Sequence, residues 1–310
     1  MTVSALQCLG RGLASLRANW PLVLLQWLQQ VVVTLLTVAG ALVPVVAVGP
    51  ARLREVLELG LADPEAAGEP LLALIAQIAA PLAVSLVATL VVWTLAFLLF
   101  CWFQGGFYGV LVTAERQAPR LPGAGRDPGL FRTFSLPAYA GWGARYLRRY
   151  FWFWNLYGVV LLGVALLGAL MLLGAAAGFG RWGEQAAVAI GCGGSLPLVV
   201  VLLLVILWGL LAAAAVGREE ATVRTASRHA LTVLARRPLA VLLIAALGLA
   251  GGVLLSALFL PMSLLTGGTG TEAIAVQAAL MLAQALAGAV LTTFLAASCV
   301  ALVASEPQRR

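Results

Sequence analysis

The 310-residue chain is 62% hydrophobic and 10% charged, with a mean hydropathy of +1.02 and a formal net charge of +7. A soluble domain is about half apolar and about a quarter charged, so this balance excludes an ordinary soluble fold. The basic excess has no compact basic domain to sit on, which excludes a nucleic-acid reader.

The apolar residues fall into six runs, at 21–49, 82–111, 152–180, 193–216, 238–266 and 275–303. Each reaches the roughly 20 residues that cross a bilayer core, and none holds an Asp, Glu, Lys, Arg or His. The fold class read from this pattern is all-α, a polytopic bundle of six transmembrane helices. Arg11 and Arg17 precede the first run, which continues from Pro21 to Gly49. That run exceeds the about 7–15 residues of a signal peptide's apolar region, so a retained helix is expected. Between the first two runs, residues 50–70 carry Arg52, Arg54, Glu55, Glu58, Asp63, Glu65 and Glu69, with Leu53, Val56, Leu57 and Leu61 as an apolar stripe. They read as a cap on the outer surface. Residues 71–113 are apolar almost throughout and as one helix would extend about 65 Å, twice a bilayer core of roughly 30 Å. Pro81 marks the expected break, with 71–80 as a lead-in to the span.

Orientation follows from arginine, since the 19 basic residues include no lysine. With the N-terminus in the cytoplasm, only Arg52, Arg54 and Arg181 fall outside. The positive-inside rule then places both termini inside, in the cell (inner) membrane. Trp102, Phe103, Phe107 and Tyr108, and Tyr150, Phe151, Trp152, Phe153 and Trp154, are expected at the headgroup boundary of the inner face.

The six spans read as three two-span repeats with cytoplasmic amphipathic lead-in helices: 1–116, 130–220 and 221–306, with 117–135 a cytoplasmic loop. All belong to one transmembrane domain, 1–310. The lead-ins are Val3–Trp20, Leu136–Tyr150 and Ala221–Arg237. Val3, Leu6, Leu9, Leu13, Leu16 and Trp20 form the apolar face of the first. Asn19-Trp20-Pro21-Leu22 matches Arg236-Arg237-Pro238-Leu239 at the joins, where proline suits the first helical position. The middle unit has Arg149-Tyr150-Phe151 there and no proline. The returning spans each end beside an acid, Glu115, Glu219 or Glu306. An acid opposes the dipole at a helix C-terminus, so each is expected to pair with a lead-in arginine. The candidates for this inner-surface clamp are Arg11, Arg17, Arg145, Arg148, Arg224 and Arg228.

Other polar groups are few. Gln26, Gln30, Gln104, Asn155, Gln277 and Gln284 are candidates for lining a polar cavity, and interhelical hydrogen bonding is the alternative reading. Gly105/Gly109, Gly174/Gly178 and Gly248/Gly252 have the spacing that permits close helix packing. Cys8, Cys101, Cys192 and Cys299 form no C-x-x-C pair, and His229 is the single histidine. No metal site and no cofactor is therefore expected. His229, beside Arg228, reads as an interfacial residue touching lipid phosphate. No serine has a base within reach of this pattern, so no catalytic residue is assigned.

The paired spans, the lead-ins, the Gln104-Gly105-Gly106-Phe107-Tyr108-Gly109 stretch and the Ala230-Leu231 to Arg236-Arg237-Pro238-Leu239 segment resemble a broad group of six-span bacterial and archaeal membrane proteins. That group includes uncharacterised families and the membrane domain beside some glycerophosphodiester phosphodiesterases. The resemblance covers nearly the whole chain and implies a fold, not a reaction, because the phosphodiesterase catalytic domain has no counterpart here. The expected function is a non-enzymatic integral membrane protein that organises membrane, assists a complex or passively handles a small or amphiphilic molecule. A transporter with a polar midplane cavity is the first alternative and a lipid-modifying enzyme the second. Expected partners are anionic inner-leaflet lipids, and a membrane protein or a second copy of the chain.

Overall fold

The computed structural model describes residues 4–49, 54, 58, 68–119, 127–218, 222–265 and 270–306. No strand occurs among them. Eight helices are described: α1 (Ala5–Ala18), α2 (Pro21–Val48), α3 (Gly68–Gln117), α4 (Leu136–Trp182), α5 (Glu184–Val216), α6 (Val223–Arg236), α7 (Pro238–Leu265) and α8 (Thr271–Ser305), with a 3-10 turn at Pro128–Phe131. Six helices among the described residues are long and apolar enough to cross a membrane. The chain is an all-α, multi-pass membrane protein.

The short helices start on their own side chains. In α1, Ser4 Oγ accepts from the Gln7 amide at 3.2 Å while Gln7 Oε1 accepts from the Ser4 amide at 2.8 Å. In α6, Thr222 and Thr225 exchange the same two bonds. These capping boxes satisfy donors that a helix start otherwise leaves open. Both helices have 14 residues, and each is followed by a 28-residue helix that opens on proline, Pro21 or Pro238, and carries a second, Pro44 or Pro261. Proline supplies a fixed φ and lacks only an amide that the first turn cannot use, so α1/α2 and α6/α7 break where the sequence indicates.

Two expected breaks are absent. The middle lead-in is not a separate helix: α4 runs unbroken through Tyr150, because without a proline nothing removes an amide there and the helix propagates. Nor does Pro81 end a helix, since α3 is continuous from Gly68 to Gln117 with Pro81 inside it. One proline costs one hydrogen bond, which a long apolar helix tolerates in a membrane.

The described residues of 1–27 and 101–310 form one compact unit and those of 28–100 a second. In the second, Thr89 Oγ1 donates to the Gly40 carbonyl at 2.9 Å and Trp93 Nε1 to the Thr37 carbonyl at 3.1 Å. A Cβ on Gly40 would lie 2.6 Å from Trp93 Nε1, so glycine permits this contact. A cavity of about 440 Å³ lies among Val43, Ala47, Ala80, Pro81, Val84, Ser85 and Ala88. Ser85 is its one hydroxyl, and that hydroxyl donates to the Leu82 carbonyl of its own helix.

In the first unit, α4 and α5 form a hairpin about Gly183, whose φ of +84° favours glycine. The helices α5, α7 and α1 pack against α8. The aromatic residues expected at the headgroup boundary behave differently. Phe103, Phe107, Tyr108, Tyr150 and Phe153 are buried, whereas Trp152 is exposed. Tyr139 Oη donates to the Phe103 carbonyl at 3.0 Å and Tyr150 Oη to the Ala213 carbonyl at 2.8 Å. The glycines explain this. A Cβ on Gly105 would lie 3.1 Å from the Gly143 carbonyl, one on Gly106 2.8 Å from the Tyr139 carbonyl, and one on Gly109 2.5 Å from Trp142 Cβ. Close approach of α3 to α4 puts their rings in the core. Gly248 also packs, against Leu295, but a Cβ on Gly174 or Gly252 would meet nothing within 4 Å. The other closely packed glycine of this helix is Gly251, against Leu291. The Gly178 side lies outside the described residues.

Candidate functional site

The polar groups of the first unit gather where the arginine-rich segments meet the helix ends. The buried face of α1 is Cys8, Arg11, Gly12, Ala14 and Ser15. Leu6, Leu13 and Trp20, on its apolar face, are exposed. Gly12 lies against α8, where a Cβ would collide with the Ser298 hydroxyl. A helix surrounded by water buries its leucines. One whose outer side meets hydrocarbon turns its small and polar face inward.

Arg11 reaches from that face to the end of α3. Its Nε donates to both Glu115 oxygens, at 2.8 and 3.1 Å, its Nη1 to the Pro119 carbonyl at 2.9 Å and its Nη2 to the Ala118 carbonyl at 3.3 Å. The guanidinium also stacks over the Phe131 ring at 5.1 Å. Both side chains are nearly inaccessible, at 6% and 9%. The arginine neutralises the acid that opposed the helix dipole and occupies carbonyls that a helix end leaves open.

The other returning helices end on cations too. Arg149 Nη1, on α4, donates to the Arg218 carbonyl at 3.1 Å, just past the end of α5. At the end of α8, Glu306 lies 3.6 Å from Arg237 and 3.8 Å from Arg236. Arg17, Arg145, Arg148, Arg224 and Arg228 lie exposed, Arg145 over the Trp142 ring at 5.3 Å. Glu219 lies outside the described residues.

His229 is not a surface residue. It is buried, with Nε2 3.3 Å from the Val303 carbonyl and 3.4 Å from Arg218 Nη1. It faces α8 because it shares a side of α6 with Ala226, Ala230 and Val233, all buried. Burial lowers its pKa from the ordinary 6.5; the Val303 hydrogen bond opposes this, Arg218 adds to it, and Glu306 opposes it. The folded state therefore holds a neutral ring that the unfolded chain protonates below about 6.5. Stability is fully present above that value and is lost as pH falls toward the folded pKa. Melting temperature in detergent is expected to drop between pH 7.5 and 5.5, with His229→Gln flatter over the same range. Equal slopes for the two proteins would show that other groups set the pH dependence.

Asn19 went unremarked as a functional residue in the sequence. Fully buried at the α1–α2 corner, its Nδ2 donates to the Phe131 carbonyl at 2.7 Å and the Ser15 carbonyl at 3.1 Å. Its Oδ1 accepts from the amides of Thr133 at 3.0 Å and Phe134 at 2.9 Å. One amide thus fastens the segment after the 3-10 turn to the corner. Beside it is a cavity of about 410 Å³ lined by Arg17, Ala18, Trp20, Pro21, Pro128, Gly129, Arg132 and Phe134.

The candidate cavity residues differ in burial. Gln26 and Gln104 are buried, Gln30 and Gln277 half-buried, Asn155 and Gln284 exposed. Asn155 Nδ2 donates to the Phe151 carbonyl of its own helix. None of the six lines the cavity at the α1–α2 corner. Cys8, Cys101 and Cys299 are buried free thiols. Burial, with the Glu115 charge second, pushes the Cys8 thiol up to about 11, so it is unreactive at neutral pH. Among the described residues no three His, Cys, Asp or Glu side chains come together as a metal site.

No family model, curated protein or solved structure matches the chain.

Proposed function

We propose that this chain is a non-enzymatic protein of the cell (inner) membrane, built of three two-span repeats with both termini cytoplasmic, that organises anionic phospholipid at the inner leaflet. The observation that supports this most is the use of charge. The buried ionic groups, Arg11 with Glu115 and Arg237 with Glu306, tie helix ends together, while Arg17, in the last turn of α1, and Arg132, just after the 3-10 turn, face outward. Outward arginines beside the exposed Trp20 and Leu13 suit an anionic headgroup layer above hydrocarbon. The kinship with the six-span group beside phosphodiesterases belongs to the same proposal, as a likeness of architecture.

The reading is tested on the full chain. Cysteine-free protein carrying Thr271→Cys is expected to react with an impermeant maleimide on intact cells, and Thr222→Cys only after permeabilisation. Protein extracted with its surrounding lipid is expected to be enriched in anionic phospholipid over the bulk membrane by mass spectrometry. Reversed labelling overturns the orientation. A lipid composition equal to the bulk overturns the role.

A further inference from the structure

We propose that the cavity at the α1–α2 corner is a specific site for the phosphate of an anionic phospholipid headgroup, an inference that rests on the lipid-organising reading and names its site. Arg17 and Arg132 both line it, one from the last turn of α1 and the other from the residue after the 3-10 turn. Both side chains are exposed, and neither has a carboxylate partner among the described residues. This sets them apart from Arg11 on the same helix, whose donors are taken by Glu115 and two carbonyls. Arginine forks match phosphate oxygens in paired, charge-assisted hydrogen bonds.

The remaining walls are apolar: Ala18, Trp20, Pro21 and Phe134. Trp20 is 59% exposed, and an indole in that position suits the headgroup boundary. A cavity of about 410 Å³ with two cations and an apolar rim therefore fits a phosphate attached to hydrocarbon better than a free ion. The nearby Asp127 carboxylate accepts from the Gly129 amide at 2.9 Å, which closes the turn. It precedes the lining residue Pro128, and its bond to the turn holds it in place.

The site is held in shape before any ligand arrives. Asn19 is two residues from Arg17 and bonds the backbone on both sides of Arg132, at Phe131 and Thr133. The backbone that carries the two arginines is thus held through one buried side chain, which reduces the ordering cost of binding.

The test is native mass spectrometry of the detergent-solubilised full chain with phosphatidylglycerol or phosphatidylcholine. The wild type is expected to hold phosphatidylglycerol in preference. Arg17→Gln/Arg132→Gln is expected to lower that occupancy at least tenfold, since both guanidinium forks are lost and a factor of ten is only about 1.4 kcal/mol, and to leave phosphatidylcholine unchanged. Arg224→Gln/Arg228→Gln removes the same charge elsewhere on exposed positions and is expected to keep wild-type binding; an equal loss there overturns the site in favour of diffuse charge. Glycerol 3-phosphate and inorganic phosphate are added as competitors. Failure to compete supports the lipid source, whereas displacement overturns it in favour of a soluble phosphate ester on the same arginines. A wild type with no anionic preference sinks the parent reading, and a preference that Arg17→Gln/Arg132→Gln keeps sinks the site alone.

Discussion

Arg11→Ala is expected to destabilise the protein by about 3–5 kcal/mol, more than any other single change of an arginine. Removing one partner of a buried ion pair leaves the other charged and desolvated, and losses of this size are typical. Arg11→Ala strands Glu115, which is 9% accessible, and also uncovers the Ala118 and Pro119 carbonyls at the end of α3. Glu115→Ala is expected to cost less, because the guanidinium keeps those two carbonyls and the Phe131 ring. Arg11→Met/Glu115→Met is expected to be the mildest of the three. It removes both charges together, and a buried pair replaced by packed apolar groups is often near neutral. Some loss remains for the uncovered carbonyls, at about 1–3 kcal/mol. Unfolding in mixed micelles, followed by far-ultraviolet circular dichroism, ranks the three. An Arg11→Ala protein within about 1 kcal/mol of the wild type, or a double variant worse than both singles, would show that the pair does not hold α1 to α3.

The sequence made the six spans legible because hydropathy over about 20 residues is a strong signal with one physical cause, the bilayer core. Proline made two of the joins legible for a local reason: Pro21 and Pro238 remove amides at the positions where α2 and α7 begin. The same logic, extended to a middle join without proline, led to a break that α4 does not have. The burial of the aromatic residues has another source. Headgroup preference treats a ring as surface, but Gln104-Gly105-Gly106-Phe107-Tyr108-Gly109 places rings beside three glycines that let α4 approach. Glycine next to aromatic residues was the available signal, and it pointed to the core. An apolar face of α1 turned to the membrane surface leaves its polar face for the interior. With Leu6 74% exposed and Arg11 5% exposed, the inside of this helix is its polar side. The acid at the end of α3 was found because a carboxylate there conflicts with the helix dipole, and Arg11 lies 2.8 Å away. Asn19 gave no such conflict. Three of its four partners are backbone groups more than 110 positions away, and backbone groups leave no trace in a sequence.

That residue carries the second large effect. Asn19→Ala is expected to cost about 2–4 kcal/mol and to release residues 127–135 from the corner. The substitution leaves the Thr133 and Phe134 amides and the Phe131 carbonyl without the partners they have at 3.0, 2.9 and 2.7 Å. Unmade bonds of partly buried groups cost about 1–3 kcal/mol each, reduced where water enters. Asn19→Asp separates the two halves of the interaction. Its carboxylate still accepts from Thr133 and Phe134, but it offers no proton to Phe131 and Ser15 and faces both carbonyls with charge. Hydrogen exchange read by mass spectrometry on the peptide covering 127–135 tells them apart. Exchange in Asn19→Ala is expected to accelerate at least tenfold at Thr133 and Phe134, while Asn19→Asp keeps their protection and loses stability. Because Arg132 lies between Phe131 and Thr133, release of this segment also lets one side of the arginine cavity drift from the other. Phosphatidylglycerol occupancy is then expected to fall in Asn19→Ala although both arginines remain. Unchanged exchange across 127–135 in Asn19→Ala would mean that the 3-10 turn and the Phe131 packing hold the corner without this amide.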